Sequence, residues 1–333
     1  MKTFQLSILL FILFSCKKEN IYYYSDNKTI KDSTVIRFVD EELEKLKIDT
    51  KEKNLKIYTT LDSTSYKSNL DSIRNKIFDS SLNYNLKPED KKAFDEWFRE
   101  KIIVVDNSTR KVVNFYSSFK TKKYDRNDLS MGGLRKIIRI GSALYKNSNF
   151  EISENYLANY PSQVISGKDL EISQEEVQFL SNFNINNLNT KGYFYNYIPY
   201  LDAIKILQTY NGGLLKQPSV IEKVLINEKM VYLKKDNPRK IFDTKSLEKI
   251  WHLFSYQKKY SFGAFKNQLT NTQNLIFFGT NSDHYMIIND GKYTYFIYIF
   301  GTVITNLDKK EYKIILPQIF KRVEIKYYNA IRK

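Results

Sequence analysis

The sequence predicts a mixed α/β fold, in which helices pack on an antiparallel sheet. Polar turns at 107–111, 227–229 and 289–291 separate pairs of segments rich in β-branched and aromatic residues, which is the pattern of β-hairpins. The last of these turns reads Asn-Asp-Gly, which favours a tight hairpin. Amphipathic segments lie between the hairpins without the regular strand–helix alternation of a parallel sheet, so an antiparallel sheet is expected.

Each element of this fold is predicted from its own residue spacing. Apolar residues at helical spacing predict helices at 35–48, 71–82, from Pro88 onward, 133–146, 200–210, 244–258 and 309–331. Runs of β-branched and aromatic residues predict strands at 55–62, 102–106, 112–119, 220–227, 230–235, 275–279, 284–289 and 293–304.

The composition is that of a globular protein with a strong positive charge. The 333 residues are 42% hydrophobic and 15% aromatic, which excludes a disordered chain. The net charge of +16 attracts polyanions such as anionic lipid or acidic cell-wall polymer. The basic residues are not interleaved with stacking aromatics, so no nucleic-acid partner is predicted. With two histidines and one cysteine in the chain, neither a metal site nor a cofactor is expected.

The N-terminus has the pattern of an export signal. Lys2 precedes an apolar run at 6–14, which is shorter than the roughly 20 residues that cross a bilayer. The run leads into Leu-Phe-Ser-Cys, which resembles the lipobox of bacterial lipoproteins and implies that Cys16 is lipidated. We therefore expect a signal peptide at 1–15 and a tether at 16–34 that anchors the protein to a membrane of the cell envelope, on its periplasmic or surface side.

Several stretches resemble, in order, the transpeptidase domain of class A penicillin-binding proteins. They read VIRFVDEELEKLKIDTKEKNLKIYTTLD at 35–62, KIIVVDNSTRKVVNFYSSF at 101–119, DAIKILQTYNGGLLKQPSVIEKVLINEKMVY at 202–232, and ILPQIFKRV at 315–323. The resemblance implies a transpeptidase/β-lactamase-like α/β (α+β) fold, with an antiparallel sheet flanked by helices and a reduced helical subdomain. It also implies a linker or pedestal at 35–100 that leads into a transpeptidase-like domain at 101–333.

The first motif of this family is degenerate in the chain. In the family, the serine of an S-x-x-K motif forms a covalent acyl-enzyme and the lysine helps to activate it. The segment MGGLRKIIRIGSAL at 131–144 places Gly133 at the serine and Lys136 at the lysine. Glycine has no side chain, so no acyl-enzyme can form at Gly133. Lys136 is either a retained functional lysine or a solvated residue on the polar face of an amphipathic helix.

The two other motifs are also changed. The family's K-T-G strand, which binds the substrate carboxylate, corresponds to Phe277, Phe278, Gly279 and Thr280. An aromatic ring cannot supply the positive charge that holds a carboxylate. For the S-x-N motif the chain offers only Ser-Asn-Phe-Asn at 181–184, with one residue too many, so this motif is interpreted as lost.

A rival alignment uses a different serine. Ser142 and Lys146 also resemble the start of the S-x-x-K motif, with one extra residue between them, and at this spacing they share a helix face. This alignment places the nucleophile in the middle of a helix, away from the N-terminal dipole that favours negative charge. A small residue for helix packing is the preferred interpretation of Ser142.

These observations predict a catalytically inactive, penicillin-binding-protein-like lipoprotein that binds peptidoglycan or a cell-wall synthesis protein. One alternative is an active serine D,D-transpeptidase or carboxypeptidase with a displaced nucleophile such as Ser142. Another is a surface scaffold with an unrelated partner. Covalent labelling by a β-lactam distinguishes the first alternative, and binding to purified peptidoglycan distinguishes the second.

Overall fold

The computed structural model describes residues 20–52, 54–64, 67–82, 87–119, 128–152, 171–186, 188, 196–261, 274–279, 283–300 and 323–332. The helices in these ranges are α1 (Ser33–Lys45), α2 (Lys67–Leu82), α3 (Lys91–Trp97), α4 (Arg135–Lys146), α5 (Gln174–Ser181), α6 (Tyr200–Gly212), α7 (Thr244–Ser261) and α8 (Val323–Ile331). The strands are β1 (Ile21–Tyr23), β2 (Leu55–Thr59), β3 (Arg99–Asp106), β4 (Val112–Ser117), β5 (Asp128–Ser130), β6 (Tyr197–Pro199), β7 (Leu214–Leu215), β8 (Ile221–Ile226), β9 (Lys229–Leu233), β10 (Arg239–Lys240), β11 (Asn274–Gly279), β12 (Asp283–Asn289) and β13 (Tyr293–Phe300). The described residues form two compact units, one within 1–63 and 220–235 and the other within 64–219 and 236–333.

The first unit combines a four-stranded sheet with helix α1. The strand order is β1-β2-β8-β9, in which β1 runs parallel to β2 and the other neighbours are antiparallel. Burial alternates along β2 because successive side chains point to opposite faces. Asp32 caps α1 by accepting a hydrogen bond from the backbone N–H of Thr34 at 2.8 Å. The apolar stripe of α1, which includes the fully buried Val39 and Leu43, packs near β8 and closes the core.

The second unit is built on a five-stranded antiparallel sheet in the order β11-β12-β13-β3-β4. Strands β13 and β3 are interior and buried on both faces, which explains their nearly continuous apolar sequences. One face packs against α2, α3 and α8 through a cluster that includes Ile77, Phe94 and Tyr328. The other face packs against α6, where the ring of Tyr200 lies 4.5 Å from that of Phe296. The sheet is therefore covered by helices on both faces.

Helix α6 packs against both the five-stranded sheet and helix α4. It contacts α7, β12 and β13, and ten of its thirteen residues are buried. The hydroxyl of Tyr210 donates a hydrogen bond to the carbonyl of Ile137 in α4 at 2.6 Å. Gly141 makes this approach possible, because a Cβ at that position would lie 1.8 Å from the Tyr210 hydroxyl oxygen. The glycine thus fixes how closely α4 packs against α6.

The predicted fold class is confirmed, and most predicted helices and strands are present. The helix predicted at 133–146 begins as a 3-10 turn, Met131–Leu134, before α4. Of the helix predicted at 309–331, residues 309–322 lie outside the described residues and α8 covers the rest. Among the described residues, no helix is both long and apolar enough to cross a membrane.

Two features of the described residues extend across the boundaries of the predicted segments. Residues 21–23, within the predicted tether, form strand β1 because they pair with β2. The first unit ends near residue 63, within the predicted linker at 35–100, and takes in residues 220–235 from the predicted transpeptidase-like domain. The reason is that the β8–β9 hairpin completes the sheet by pairing with β2, a long-range contact that local sequence patterns do not report.

Candidate functional site

The structure brings together the two segments that align with the S-x-x-K and K-T-G motifs. Gly133 lies in the 3-10 turn Met131–Leu134, and Lys136 lies in the first helical turn of α4. This 3-10 turn contacts strand β11, which contains Phe277, Phe278 and Gly279. Thr280 lies outside the described residues. The two segments are therefore in contact, although about 140 residues separate them in the sequence.

The turn at Gly133 is held in place by its neighbours. Ser130 directly precedes the turn Met131–Leu134, and the Ser130 hydroxyl accepts a hydrogen bond from the backbone N–H of Gly132 at 3.3 Å. The hydroxyl of Tyr285 in β12 donates to the carbonyl of Ser130 at 3.3 Å, and the backbone N–H of Met131 donates to the carbonyl of Asn196 at 2.9 Å. The side chain of Met131 is fully buried. The start of α4 is thus anchored to the sheet next to β11.

Among the strands that the structure describes, β11 lies at the edge of the five-stranded sheet. Its Phe277, Phe278 and Gly279 pair with Met286, Tyr285 and His284 of β12. An edge strand presents backbone N–H and C=O groups on its outer side, which is the arrangement that accepts an extended peptide as an added strand. The backbone of β11 can therefore serve a binding role that does not depend on the family's lysine.

A buried lysine lies on the same row of the sheet and was not singled out from the sequence. Phe278, Tyr285, Tyr298 and Lys101 are successive cross-strand partners on β11, β12, β13 and β3. Lys101 is 1% exposed, and its Nζ lies 4.9 Å from the ring centroid of Tyr200. Cation–π contact with the ring stabilises the buried ammonium group. In the sequence, Lys101 directly precedes the apolar run at 102–106, a position where a lysine is usually exposed, so no local signal indicated its burial.

An ion pair lies on the opposite face of the same sheet. Arg74 of α2 is paired with Glu100 of β3, whose side chain is fully buried. Burial raises the pKa of Glu100, and the charge of Arg74 together with a hydrogen bond from Ser118 opposes this effect. The pair joins α2 to the sheet and is remote from the turn at Gly133, because its side chains point to the other face.

The rival pair Ser142 and Lys146 is divided between two environments. Ser142 is 6% exposed in the middle of α4. Lys146 ends the helix, where its ammonium group pairs with Glu175 and both side chains are more than half exposed. The lysine therefore has a carboxylate partner at the surface, and the serine occupies a packed position within the helical layer.

The segment at 181–184 ends helix α5. The Ser181 hydroxyl donates to the carbonyl of Gln178 at 2.7 Å, and the Asn182 side chain donates to the carbonyl of Phe179 at 3.1 Å. Phe183 is fully buried, and Asn184 adopts a left-handed conformation with φ of 58°. These are the contacts of a helix C-terminus, in which side chains satisfy the last carbonyl groups.

A cavity of about 380 Å³ lies beside this helix end and was also not predicted. Amide side chains line it, together with Lys205 and Arg239. The ammonium group of Lys205 lies 2.7 Å from an Asp202 carboxylate oxygen, 2.7 Å from the Phe183 carbonyl and 2.9 Å from the Gln217 side-chain oxygen. Its three N–H donors thus have acceptors within the protein, so this lysine stabilises the fold rather than holding an anion.

The remaining site predictions fall outside what the structure describes. Cys16 and the predicted signal peptide at 1–15 lie before the first described residue. Within the described ranges, no group of three or more His, Cys, Asp or Glu side chains is arranged to hold a metal ion.

Comparison with known proteins shows the fold to be that of the penicillin-binding protein transpeptidase domain. No protein-family model and no curated protein sequence matches the chain. Among solved structures, penicillin-binding protein PonA1 from Mycobacterium tuberculosis is 13% identical with a TM-score of 0.54, over 90% of this chain and 91% of that one. Penicillin-Binding Protein 1A from Haemophilus influenzae is 10% identical with a TM-score of 0.55, over 91% of this chain and 71% of that one.

Coverage varies among the similar structures. The chain spans about half, 49%, of Penicillin Binding Protein 2X from Streptococcus thermophilus, at 12% identity and a TM-score of 0.46. At these identities the likeness establishes the fold and leaves activity, ligands and partners to be argued from the residues of this chain.

Proposed function

We propose that this protein is a non-catalytic, penicillin-binding-protein-like lipoprotein of the cell envelope that binds peptidoglycan or a protein of cell-wall synthesis. The observation that carries the proposal is the contact between the turn at Gly133 and strand β11. In the motif alignment, the turn lacks the family's serine and the strand lacks its K-T-G lysine, and acyl transfer in the family depends on both side chains. Loss of the nucleophile alone costs on the order of 10⁶ in the rate of a serine hydrolase.

A binding role is supported by the backbone of β11 and by the charge of the chain. An extended stem peptide can add to the edge of β11 through main-chain hydrogen bonds, which need no lysine at position 277. The net charge of +16 favours association with acidic cell-wall polymers. Peptidoglycan is therefore the preferred ligand, and an envelope enzyme that presents an extended segment is the alternative.

Covalent labelling tests the loss of catalysis. Purified protein is incubated with a fluorescent penicillin and examined by gel fluorescence and intact mass. We expect no penicilloyl adduct on the protein. A Ser142→Ala variant is treated in the same way, and we expect no adduct on it either. Ser130→Ala is included because Ser130 is the hydroxyl residue that directly precedes the turn at Gly133. An adduct on the unmodified sequence that disappears in either serine variant would refute the proposal and identify the displaced nucleophile.

Sedimentation with purified peptidoglycan tests the binding role. We expect the protein to pellet with peptidoglycan and to be released by a soluble stem peptide. A Phe277→Pro variant, which removes a backbone N–H and distorts an edge strand, should weaken this binding. If neither the original protein nor the variant binds, the scaffold alternative is favoured over the wall role.

The lipid anchor is tested separately. Metabolic labelling with a fatty-acid analogue should mark the protein expressed with its leader, and Cys16→Ser should abolish the label. A label that persists in Cys16→Ser would place the modification elsewhere and would contradict the lipobox interpretation.

A further inference from the structure

The sheet of the first unit has an outer face that is composed of two rows of side chains. The middle row, which contains the buried Tyr22, Ile57 and Val224, points into the core beside α1. Because side chains alternate along β1, β2 and the paired part of β8, the rows on either side of it point the opposite way. On β9 an irregularity at Val231 interrupts this alternation and brings Met230 opposite Leu225, so that Met230 and Leu233 both pair with residues of the outer rows. Those two rows, called here the outer face, are Ile21–Lys56–Leu225–Met230 and Tyr23–Tyr58–Lys223–Leu233.

The outer face is apolar and aromatic, with two lysines and no acidic residue among its eight members. Met230 is 59% exposed and Leu233 is 46% exposed, both on the edge strand β9. The rings of Tyr23 and Tyr58 stack at 4.9 Å, and the Nζ of Lys223 lies 4.2 Å from the centroid of Tyr58. Tyrosines and long lysine side chains around aliphatic residues are typical of surfaces that lie at the boundary between lipid and water.

The outer face also lies close to the predicted lipid anchor along the chain. Cys16 precedes Ile21, the first residue of the outer face, by five residues. Five extended residues span at most about 18 Å. Two lysines, Lys17 and Lys18, lie in this connection, and Lys229, Lys234 and Lys235 lie on or next to β9. At the rim, Glu228 pairs with Lys56 at 2.5 Å, so one of the two lysines of the outer face already has an acidic partner.

We propose that the outer face binds the surface of an anionic phospholipid bilayer. Met230 and Leu233 enter the headgroup region, the tyrosines lie at the interface, and the lysines contact lipid phosphates. The bilayer is favoured over a protein partner because the length of chain before Ile21 keeps this face near the membrane and because the surrounding charge is predominantly basic. This inference rests on the proposed anchor for its orientation, whereas the bilayer contact itself requires no acyl chain.

Flotation with vesicles tests the contact with protein that carries no lipid. The chain from residue 17 onward, which contains every described residue, is mixed with phosphatidylcholine vesicles that contain about one third phosphatidylglycerol or none. We expect at least tenfold tighter partitioning to the anionic vesicles, weakened by salt. The Lys56→Gln and Lys223→Gln variants should each lose about fivefold, the effect of one lysine near an anionic surface.

The apolar contribution is tested with a matched control. Met230→Glu/Leu233→Glu should weaken partitioning to anionic vesicles at least tenfold, with unchanged circular dichroism and melting temperature because both side chains are exposed. Leu214→Glu replaces a leucine that is 41% exposed in the second unit, and it should bind like the original protein. Equal binding by the double variant, or no binding by the original chain, would overturn the proposal.

Two further readouts separate this inference from its alternatives. Light scattering should show a monomer at working concentration; a dimer that the Met230→Glu/Leu233→Glu variant dissociates would assign the outer face to a second copy instead. Fatty-acid labelling at Cys16 reports on the anchor alone. Vesicle binding by a protein that shows no fatty-acid label would support membrane contact by the outer face and refute the lipid anchor. A fatty-acid label without vesicle binding would support the anchor and refute membrane contact by the outer face.

Discussion

The packing of α4 against α6 gives a stability prediction at Gly141. We expect Gly141→Ala to destabilise the protein by about 3 kcal/mol, because the new Cβ would lie 1.8 Å from the hydroxyl oxygen of Tyr210 and 2.8 Å from the ring of Phe179. Both neighbours are buried in the helical layer and have little room to move. The substitution should therefore force Tyr210 away from α4.

The magnitude is the balance of three effects. Overpacking of a well-packed core costs about 1–3 kcal/mol. Displacing Tyr210 breaks its 2.6 Å hydrogen bond to the Ile137 carbonyl and leaves a buried hydroxyl unsatisfied, which costs about 1–3 kcal/mol more. The higher helix propensity of alanine returns about 1 kcal/mol. For a unit of this size a net loss of about 3 kcal/mol lowers the melting temperature by roughly 6–12 °C.

Urea unfolding monitored by circular dichroism measures the effect, and a second glycine supplies the control. Gly212, at the end of α6, has no atom within 4 Å of the position that a Cβ would occupy, so Gly212→Ala should be neutral or stabilising by about 0.5 kcal/mol. Gly141→Ala/Tyr210→Phe removes the clashing hydroxyl oxygen and should recover part of the loss. The packing argument fails if Gly141→Ala is as stable as Gly212→Ala, or if removing the hydroxyl recovers nothing.

Three other predictions concern the site and the sheet. Gly133→Ser should form no penicilloyl adduct, as measured by intact mass, because Phe277 supplies no positive charge to hold the carboxylate of the penicillin. An adduct on this single variant would show that a lysine at the K-T-G position is dispensable. Arg74→Met should lower the free energy of unfolding by about 3–5 kcal/mol, because it leaves the buried Glu100 without its partner. If the unpaired charge is the cause, the double variant Arg74→Met/Glu100→Gln should lower the free energy of unfolding clearly less. Partial burial raises the pKa of Asp106, but hydrogen bonds from the hairpin turn outweigh it and hold this pKa below its usual value. The stabilisation from Asp106 is therefore present above the pKa of the unfolded chain, near 3.9, and is lost as the pH falls through the lower pKa of the folded protein. Asp106→Asn should then make the free energy of unfolding depend less steeply on pH at the acid end of the profile. An unchanged acid dependence would contradict this prediction.

The hairpins and most helices follow from local sequence. The turn at 289–291 predicts the β12–β13 pairing because its residues adopt tight turn geometry without help from distant contacts. The amphipathic spacing of 35–48 similarly predicts α1, since one apolar stripe must be buried. The alignment of Gly133 and Phe277 with the family's serine and lysine also comes from the sequence alone, and it stays a prediction.

Other features depend on residues that are distant in the sequence. Strand β1 has three residues and is stable as a strand only because β2 pairs with it, so the same residues were interpreted as a tether. The burial of Lys101 and Lys205 depends on an aromatic ring and a carbonyl group supplied by other elements. Ser142 and Lys146 share a spacing that permits a catalytic pair, and tertiary packing decides that one is buried and the other is at the surface.

The sequence by itself thus determined the class of fold and the order of most of its elements, because these depend on residue identity and on spacing within single elements, and the loss of the motif side chains stays a prediction from the same source. Only the tertiary structure decided that the turn at Gly133 meets the edge strand β11, and that the outer face of the first sheet combines β1, β2, β8 and β9. The physical reason is that each surface combines segments more than 100 residues apart, which burial of the core within its own unit brings together.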